Sequence, residues 1–139
     1  MKKPRIHDQR LKLEYRAITS LQAHPKNART HPPQQITRIA NLIRRIGFVV
    51  PVLVDEHQTI LKGHGSLMAA KQLGMQRVPV IELIGLTKAE KRAYVIADNK
   101  LAEAAGWDTD LLRLEMADLK NMGFDLELTG FSLGEAADE

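Results

Sequence analysis

Among its 139 residues the chain has no cysteine. That excludes disulfides, thiolate metal sites and cysteine nucleophiles, and it fits a reducing cytoplasm. Aromatic residues are scarce, at 4%, so any core has to be built from aliphatic side chains. No apolar run approaches the roughly 18 residues of a membrane span. The basic N-terminus is not followed by an apolar stretch, so it does not read as a secretory signal. Acidic residues are nearly missing from the first third. Residues 1–50 hold 11 Lys/Arg against 2 Asp/Glu, a balance of +9, whereas residues 101–139 hold 2 against 10, a balance of −8. A basic first third points to a polyanionic partner such as nucleic acid or a nucleotide, or alternatively to two oppositely charged ends that neutralise each other in the fold.

What is present is the material of one small domain. The hydrophobic fraction is 44% and the charged fraction 27%, ordinary for a globular chain of this length. Residues 1–12 form a basic, poorly patterned arm, expected to be flexible. The domain proper is expected over residues 13–123, with 124–139 as an acidic tail or truncated linker. Residues 13–21 read as a strand, with Tyr15, Ala17 and Ile18 toward the core. Residues 22–33 hold three prolines and a polar, basic run through His24, Lys26, Asn27, Arg29 and His31, so they are expected as a loop. Ile36, Ile39, Ala40 and Ile43 follow helical spacing, and Gly47 stands where a C-cap belongs. On that helix Arg38, Arg44 and Arg45 read as a solvated face.

Residues 51–54 and 59–62 read as a hairpin around a turn at 55–58, and 78–83 as a further strand. Pro79 is expected to place that last strand at an edge or a bulge. Thr87 and Glu90 have the spacing of a capping box, opening a helix toward Leu101. Asp108 caps another helix, whose stripe is Leu112, Met116 and Leu119.

The stretch 60–74 carries the most chemistry. A short strand ends in Gly63, His64 and Gly65, and a small-residue helix follows to Gly74, with Ser66 read as its N-cap. Two glycines let a backbone come close to a ligand, and the first turn of a helix presents unpaired N–H groups at the positive end of its dipole. Strand, glycine turn and helix start together make a phosphate site, or alternatively a turn whose glycines are there for steric reasons alone.

The order strand, basic loop, helix, glycine, Pro-led hairpin, glycine turn, helix, strand, helix resembles the N-terminal domain of the ParB family. That resemblance implies the compact α/β (α+β) ParB/sulfiredoxin fold, a small mixed sheet with packed helices. Residues 43–54 are similar to the family's helix–Gly–x–x–x–Pro–strand passage. Asn27, Ala28 and Arg29 stand in the place of its Gln-Pro-Arg box, Gly63 to Ser66 in that of its Gly-Glu-Arg-Arg box, and Asp98 and Asn99 in that of its Glu-Asn box. The resemblance implies CTP or ATP with Mg2+ as cofactor. Arg29, Gly63, His64, Gly65, Ser66 and Asn99 would then bind the nucleotide, and Asp98 and Asn99 the metal.

The chain departs from that pattern. Neither box arginine is present, since Gly65 and Ser66 replace them, and the closest match is the Gly-His-Gly variant of phage, mobile-element and DNA methyltransferase-associated proteins. The chain is also expected to stop short of any helix-turn-helix, with residues 130–135 resembling a linker toward a methyltransferase domain. Three readings stay open. One is a DNA-associated module with a nucleotide-phosphate site, whose partners are DNA, a DNA methyltransferase or a second copy of itself. Another is a metal-dependent nuclease with His64 and Asp98 catalytic, helped by Asp55 or Glu82. The third is a degenerate domain kept for protein contacts. Sulfiredoxin activity is excluded, because it needs the cysteine that this chain lacks.

Overall fold

The computed structural model describes residues 11–25 and 30–131. Four strands, β1 (Leu13–Ala17), β2 (Val52–Val54), β3 (Ile60–Lys62) and β4 (Arg77–Glu82), form one mixed sheet in the order β1-β4-β2-β3. The central pair β2 and β4 is parallel, with Val52 opposite Val80, and both flanking pairs are antiparallel. Among the described residues four α-helices accompany the sheet: α1 (Pro33–Ile46), α2 (His64–Gln72), α3 (Lys88–Ala104) and α4 (Thr109–Asn121).

Strand alternation sends Val52, Val54, Val78 and Val80 to one face, where Ile18, Ile60, Leu67 and Ala70 close over them. Full burial of each such aliphatic side chain is worth about 1.5–3 kcal/mol, so this cluster is the main driving force for folding. On the far side of α2, Ala69 packs against Ile36 and Ala40 of α1, and the small side chains let the two helices come close. The result is a three-layer stack of sheet, α2 and α1, with an aliphatic core as the lack of aromatics demanded.

Several expectations need correction. Strand β1 ends at Ala17, and residues 18–20 form a 3-10 turn whose Ser20 hydroxyl donates to the Ala17 carbonyl at 2.6 Å. Tyr15 lies exposed rather than toward the core, because it alternates onto the sheet face opposite the buried valines. Pro79 sits in an interior strand, in register with Tyr15, and not at an edge. One lost ladder donor costs about 1 kcal/mol, which burial of the flanking Val78 and Val80 outweighs. Helix α2 starts at His64 with Gly63 as its N-cap, so Ser66 lies inside the first turn and caps nothing.

Arg38 and Arg45 are not merely solvated. Arg38 donates to the Gly130 carbonyl at 3.1 Å, and the Arg45 guanidinium lies over the Phe124 ring at 5.2 Å. The segment from residue 124, expected as a tail, thus folds back on α1 through a 3-10 turn at Leu126–Thr129 that buries Leu126. Phe131 meets Trp107 edge-on at 5.0 Å. Residues 1–10 of the expected arm over 1–12, and the tail beyond Phe131, lie outside the described residues.

Candidate functional site

Gly63 holds φ 114° and ψ 16°, a left-handed conformation that turns the end of β3 directly into α2. A Cβ there would stand 3.2 Å from Val52 Cγ2 and 3.3 Å from its Cα, so both the angle and the space require glycine. Gly65 is demanded differently. It lies within the helix, and an added Cβ would meet the His31 ring at 3.1 Å and Ile39 Cδ1 at 3.2 Å. Since Gly63 has no side chain, no side-chain cap covers the first N–H groups of α2. They remain donors at the positive end of the helix.

That turn opens on a cavity of about 230 Å³ whose lining includes His31, Lys62, Gly63, His64, Gly65, Ser66, Asp98 and Asn99, over an apolar floor of Ile39, Leu61 and Val95. The structure therefore brings the glycine turn and the Asp98–Asn99 stretch of α3 to one cleft, although 33 residues or more separate them in sequence. Arg29, the remaining phosphate candidate, lies outside the described residues.

Lys62 was not singled out in the sequence. Its ammonium stands 3.3 Å from Asp98 Oδ2 and 3.4 Å from Oδ1, so it engages both carboxylate oxygens. Nothing local to Lys62 distinguishes it from an ordinary strand-end lysine; its partner comes from another helix. His31 was also missed as a cleft residue. Its Nδ1 pairs with Gln35 Oε1 at 2.9 Å, which fixes the ring against Gly65.

His64 Nε2 accepts the backbone N–H of His24 at 3.1 Å, so the ring is neutral with its proton on Nδ1. Burial, reinforced by the neighbouring His31 and His24, holds its pKa below the usual histidine value. The hydrogen bond takes the lone pair that a general base would need, and its effect is to tie the loop to the glycine turn.

The acidic candidates do not converge. Asp55 is buried at the hairpin tip, where its Oδ1 accepts the N–H groups of His57 at 2.8 Å and Thr59 at 2.9 Å. Its Oδ2 lies 3.1 Å from Lys91 Nζ. It lines a different cavity, with Glu56, Thr59 and Lys88. Glu82 is engaged by Arg16 at 3.1 Å and by Gln58 at 3.3 Å. Neither faces Asp98 across the cleft, and among the described residues no group of three His, Asp or Glu side chains has the arrangement to hold a metal ion.

Magnesium fits the cleft poorly. It demands a near-octahedral set of oxygens. Asp98 is already engaged by Lys62, and the Asn99 side-chain nitrogen donates back to the Val95 carbonyl at 2.8 Å. With no nucleotide bound, two protein oxygens, one of them ion-paired to Lys62, would leave most of an octahedral shell to water.

The chain is 43% identical over 84 residues to the ParB-like nuclease domain-containing protein YnaK of Escherichia coli (strain K12), covering 60% of this chain and 97% of that protein. It is 38% identical over 62 residues to the uncharacterized protein ORF326b of Acidianus two-tailed virus, of which it covers 19%. Among solved structures, it resembles the C-terminally truncated chromosome-partitioning protein ParB of Caulobacter crescentus complexed with CTP-gamma-S. That match has a TM-score of 0.67 and 23% identity, and covers 78% of this chain and 62% of that one. Sulfiredoxin from Arabidopsis thaliana matches with a TM-score of 0.51 and 20% identity, over 60% of this chain and 97% of that one. Both structural likenesses are of fold.

The family model of the ParB-methyltransferase HTH domain matches residues 110–138. It weighs against the expectation that the chain stops short of any helix-turn-helix, and residues 132–138 of the match lie outside the described residues. The match begins in α4, capped by the Asp108 carboxylate accepting Leu111 N–H at 3.1 Å, and continues past Gly123 into a second turn capped by Asp125.

Proposed function

The chain belongs to the ParB-like domain family, and from that premise we propose that it is a DNA-associated binding module whose cleft takes the phosphates of a nucleotide. The observation that carries this reading is the cleft itself. An uncapped helix start, the Lys62 ammonium and the Asp98–Asn99 stretch line one cavity. Phosphate seated on the N–H groups of α2 gains hydrogen bonds and a favourable dipole, and Lys62 adds a charge-assisted donor. Fold likeness to a ParB complexed with CTP-gamma-S supports the choice of nucleotide as ligand.

Calorimetric titration of CTP, ATP and GTP tests it, and heat from none of them rejects it. Ser66 lies on the cavity wall, so Ser66→Arg should tighten binding roughly tenfold, equivalent to about 1.4 kcal/mol.

DNA is the macromolecular partner in this reading, and the ParB-methyltransferase HTH match supports a DNA methyltransferase context. The basic residues of the first third would hold DNA through phosphates, so binding should fall steeply with salt. Removing residues 1–12 and changing Lys26 and Arg29 to Ala should flatten that dependence. The setting is cytoplasmic, and no helix of the described residues is long and apolar enough to cross a membrane.

A nuclease is the second reading, favoured by the description of the 43% identical relative. It asks for carboxylates converging on a metal, and the separation of Asp55 and Glu82 from Asp98 weighs against it. A supercoiled-plasmid nicking assay with Mg2+ or Mn2+ decides between the two readings.

A further inference from the structure

Lys62 takes up the carboxylate that a divalent ion would use in this cleft. Its Nζ stands 3.3 Å and 3.4 Å from the two oxygens of Asp98, and both residues line the cavity of the glycine turn. A cation bridging a carboxylate to a phosphate has to touch both. The ammonium is placed to do so, since it carries three donors and a compact charge. A divalent ion entering at Asp98 would have to displace it or sit beside a like charge.

We propose that this cleft binds nucleoside polyphosphate without a divalent metal, with Lys62 acting as the bridging cation and Asp98 positioning it. The inference rests on the cleft being a phosphate site, and it goes further by stating which cation the site uses. Lys62 becomes the residue that decides metal dependence. Its removal frees Asp98 as an oxygen ligand beside Asn99, so that a divalent ion carried by the nucleotide takes over the bridge.

The test is calorimetric titration of CTP into the full 139-residue chain, once with EDTA and once with excess Mg2+. It is run for the wild type, Lys62→Ala and Lys62→Arg, with thermal unfolding confirming that each variant is folded. Wild-type affinity should change less than about threefold between the two conditions. Lys62→Ala should lose about tenfold in EDTA, the worth of one charge-assisted contact, and recover in Mg2+. Lys62→Arg should keep metal-free binding. Manganese added alone to the wild type should leave the Asp98 and Asn99 amide resonances sharp.

Wild-type binding that requires Mg2+ overturns the inference while leaving the phosphate site standing. Lys62→Ala binding as tightly as wild type in EDTA does the same, as does broadening of Asp98 by free manganese. No binding by the wild type in either condition overturns the inference and the phosphate site together.

Discussion

Helices α2 and α3 border the same cleft and are anchored by different physics. Helix α2 is nine residues long and buries Gly65, Leu67, Ala69 and Ala70 between the sheet and α1. Helix α3 is seventeen residues long and buries only Val95. Its hold comes from polar groups spaced along one face. Lys91 reaches Asp55 at 3.1 Å and Glu56 at 2.6 Å, and Asp98 reaches Lys62 two turns later. The reciprocal capping box of Thr87 and Glu90, at 2.8 and 3.1 Å, fixes its start. One wall of the cleft therefore belongs to the packed core, and the other is docked largely by charge. Burial is insensitive to salt and mild acid, whereas ion pairs respond to both. The glycine turn should be the rigid wall, and the Asp98–Asn99 wall the adjustable one.

The sharpest way to break that contrast is to truncate an isoleucine on each side of it. Ile60 is 1% exposed within the sheet core, and Ile96 on α3 is 65% exposed. Ile60→Ala should cost about 3 kcal/mol in urea unfolding, as large-to-small core substitutions do. Ile96→Ala should stay within about 0.5 kcal/mol, as exposed substitutions do. Comparable losses at the two positions would mean that the outer face of α3 is covered in solution, and the contrast would fail.

Glycine substitutions make the next test. Gly63→Ala pays both for φ 114° and for a Cβ 3.2 Å from Val52, so about 2–3 kcal/mol is expected. Gly74 also has positive φ, at 75°, but nothing lies within 4 Å of a Cβ there. Gly74→Ala should cost about 1 kcal/mol, the backbone term alone. Equal costs would show that Val52 yields, and that the turn is less tightly built than its distances indicate.

This division also governs what was legible beforehand. Helices α1, α3 and α4 are announced by local chemistry, through the Gly47 C-cap, the Thr87–Glu90 pair and Asp108, and each of those residues does cap its helix. The mixed α/β architecture followed from the order of such signals. Helix α2 was placed to start too late, because its N-cap is a glycine in a left-handed conformation that makes no side-chain bond, and Ser66 has the residue type that such a position usually carries. Tyr15 and Pro79 were misjudged because the covered face of the sheet and the neighbours of β4 are set by distant segments. In the cleft, the glycine turn and Asp98–Asn99 stand out by composition and order. Lys62, and the docking of Arg38 and Arg45 on the C-terminal segment, depend on partners 36 to 92 residues away. No local pattern marks them.

Salt and acid should act on α3 before α2. The Debye length shrinks from about 10 Å at 0.1 M to about 3 Å at 1 M, which weakens the partly exposed Lys62–Asp98 pair most. Amide hydrogen exchange in α3 should rise a few-fold over that range while α2 stays protected. Asp55 adds an acid arm. Burial raises its pKa, but the Thr59 and His57 N–H groups and Lys91 outweigh that and hold it below the usual carboxylate range. Its stabilising contribution is complete above the ordinary carboxylate pKa and is lost as pH falls through the lowered one. Uniform exchange in both helices under acid would place Asp55 outside the anchor of α3.

The smallest effect expected concerns His64, whose neutral ring joins the loop to the rigid wall through the His24 N–H. Burial first, and then His31 and His24, lower its pKa. The unfolded chain takes up this proton near pH 6.5, while the folded chain resists it to lower pH. Stability contributed by the neutral ring is therefore full above about pH 6.5 and declines as pH falls toward the folded value, because the unfolded state binds more protons in that window. Urea midpoints of the wild type should drop modestly between about pH 7.5 and pH 5.5. His64→Gln keeps an acceptor for the His24 N–H but cannot titrate in that range, so its midpoints should change less over the same interval. Nitrogen-15 shifts should place the proton of His64 on Nδ1. A variant that keeps the full wild-type pH dependence, or a ring protonated on Nε2, would remove His64 from the account of how the loop is held.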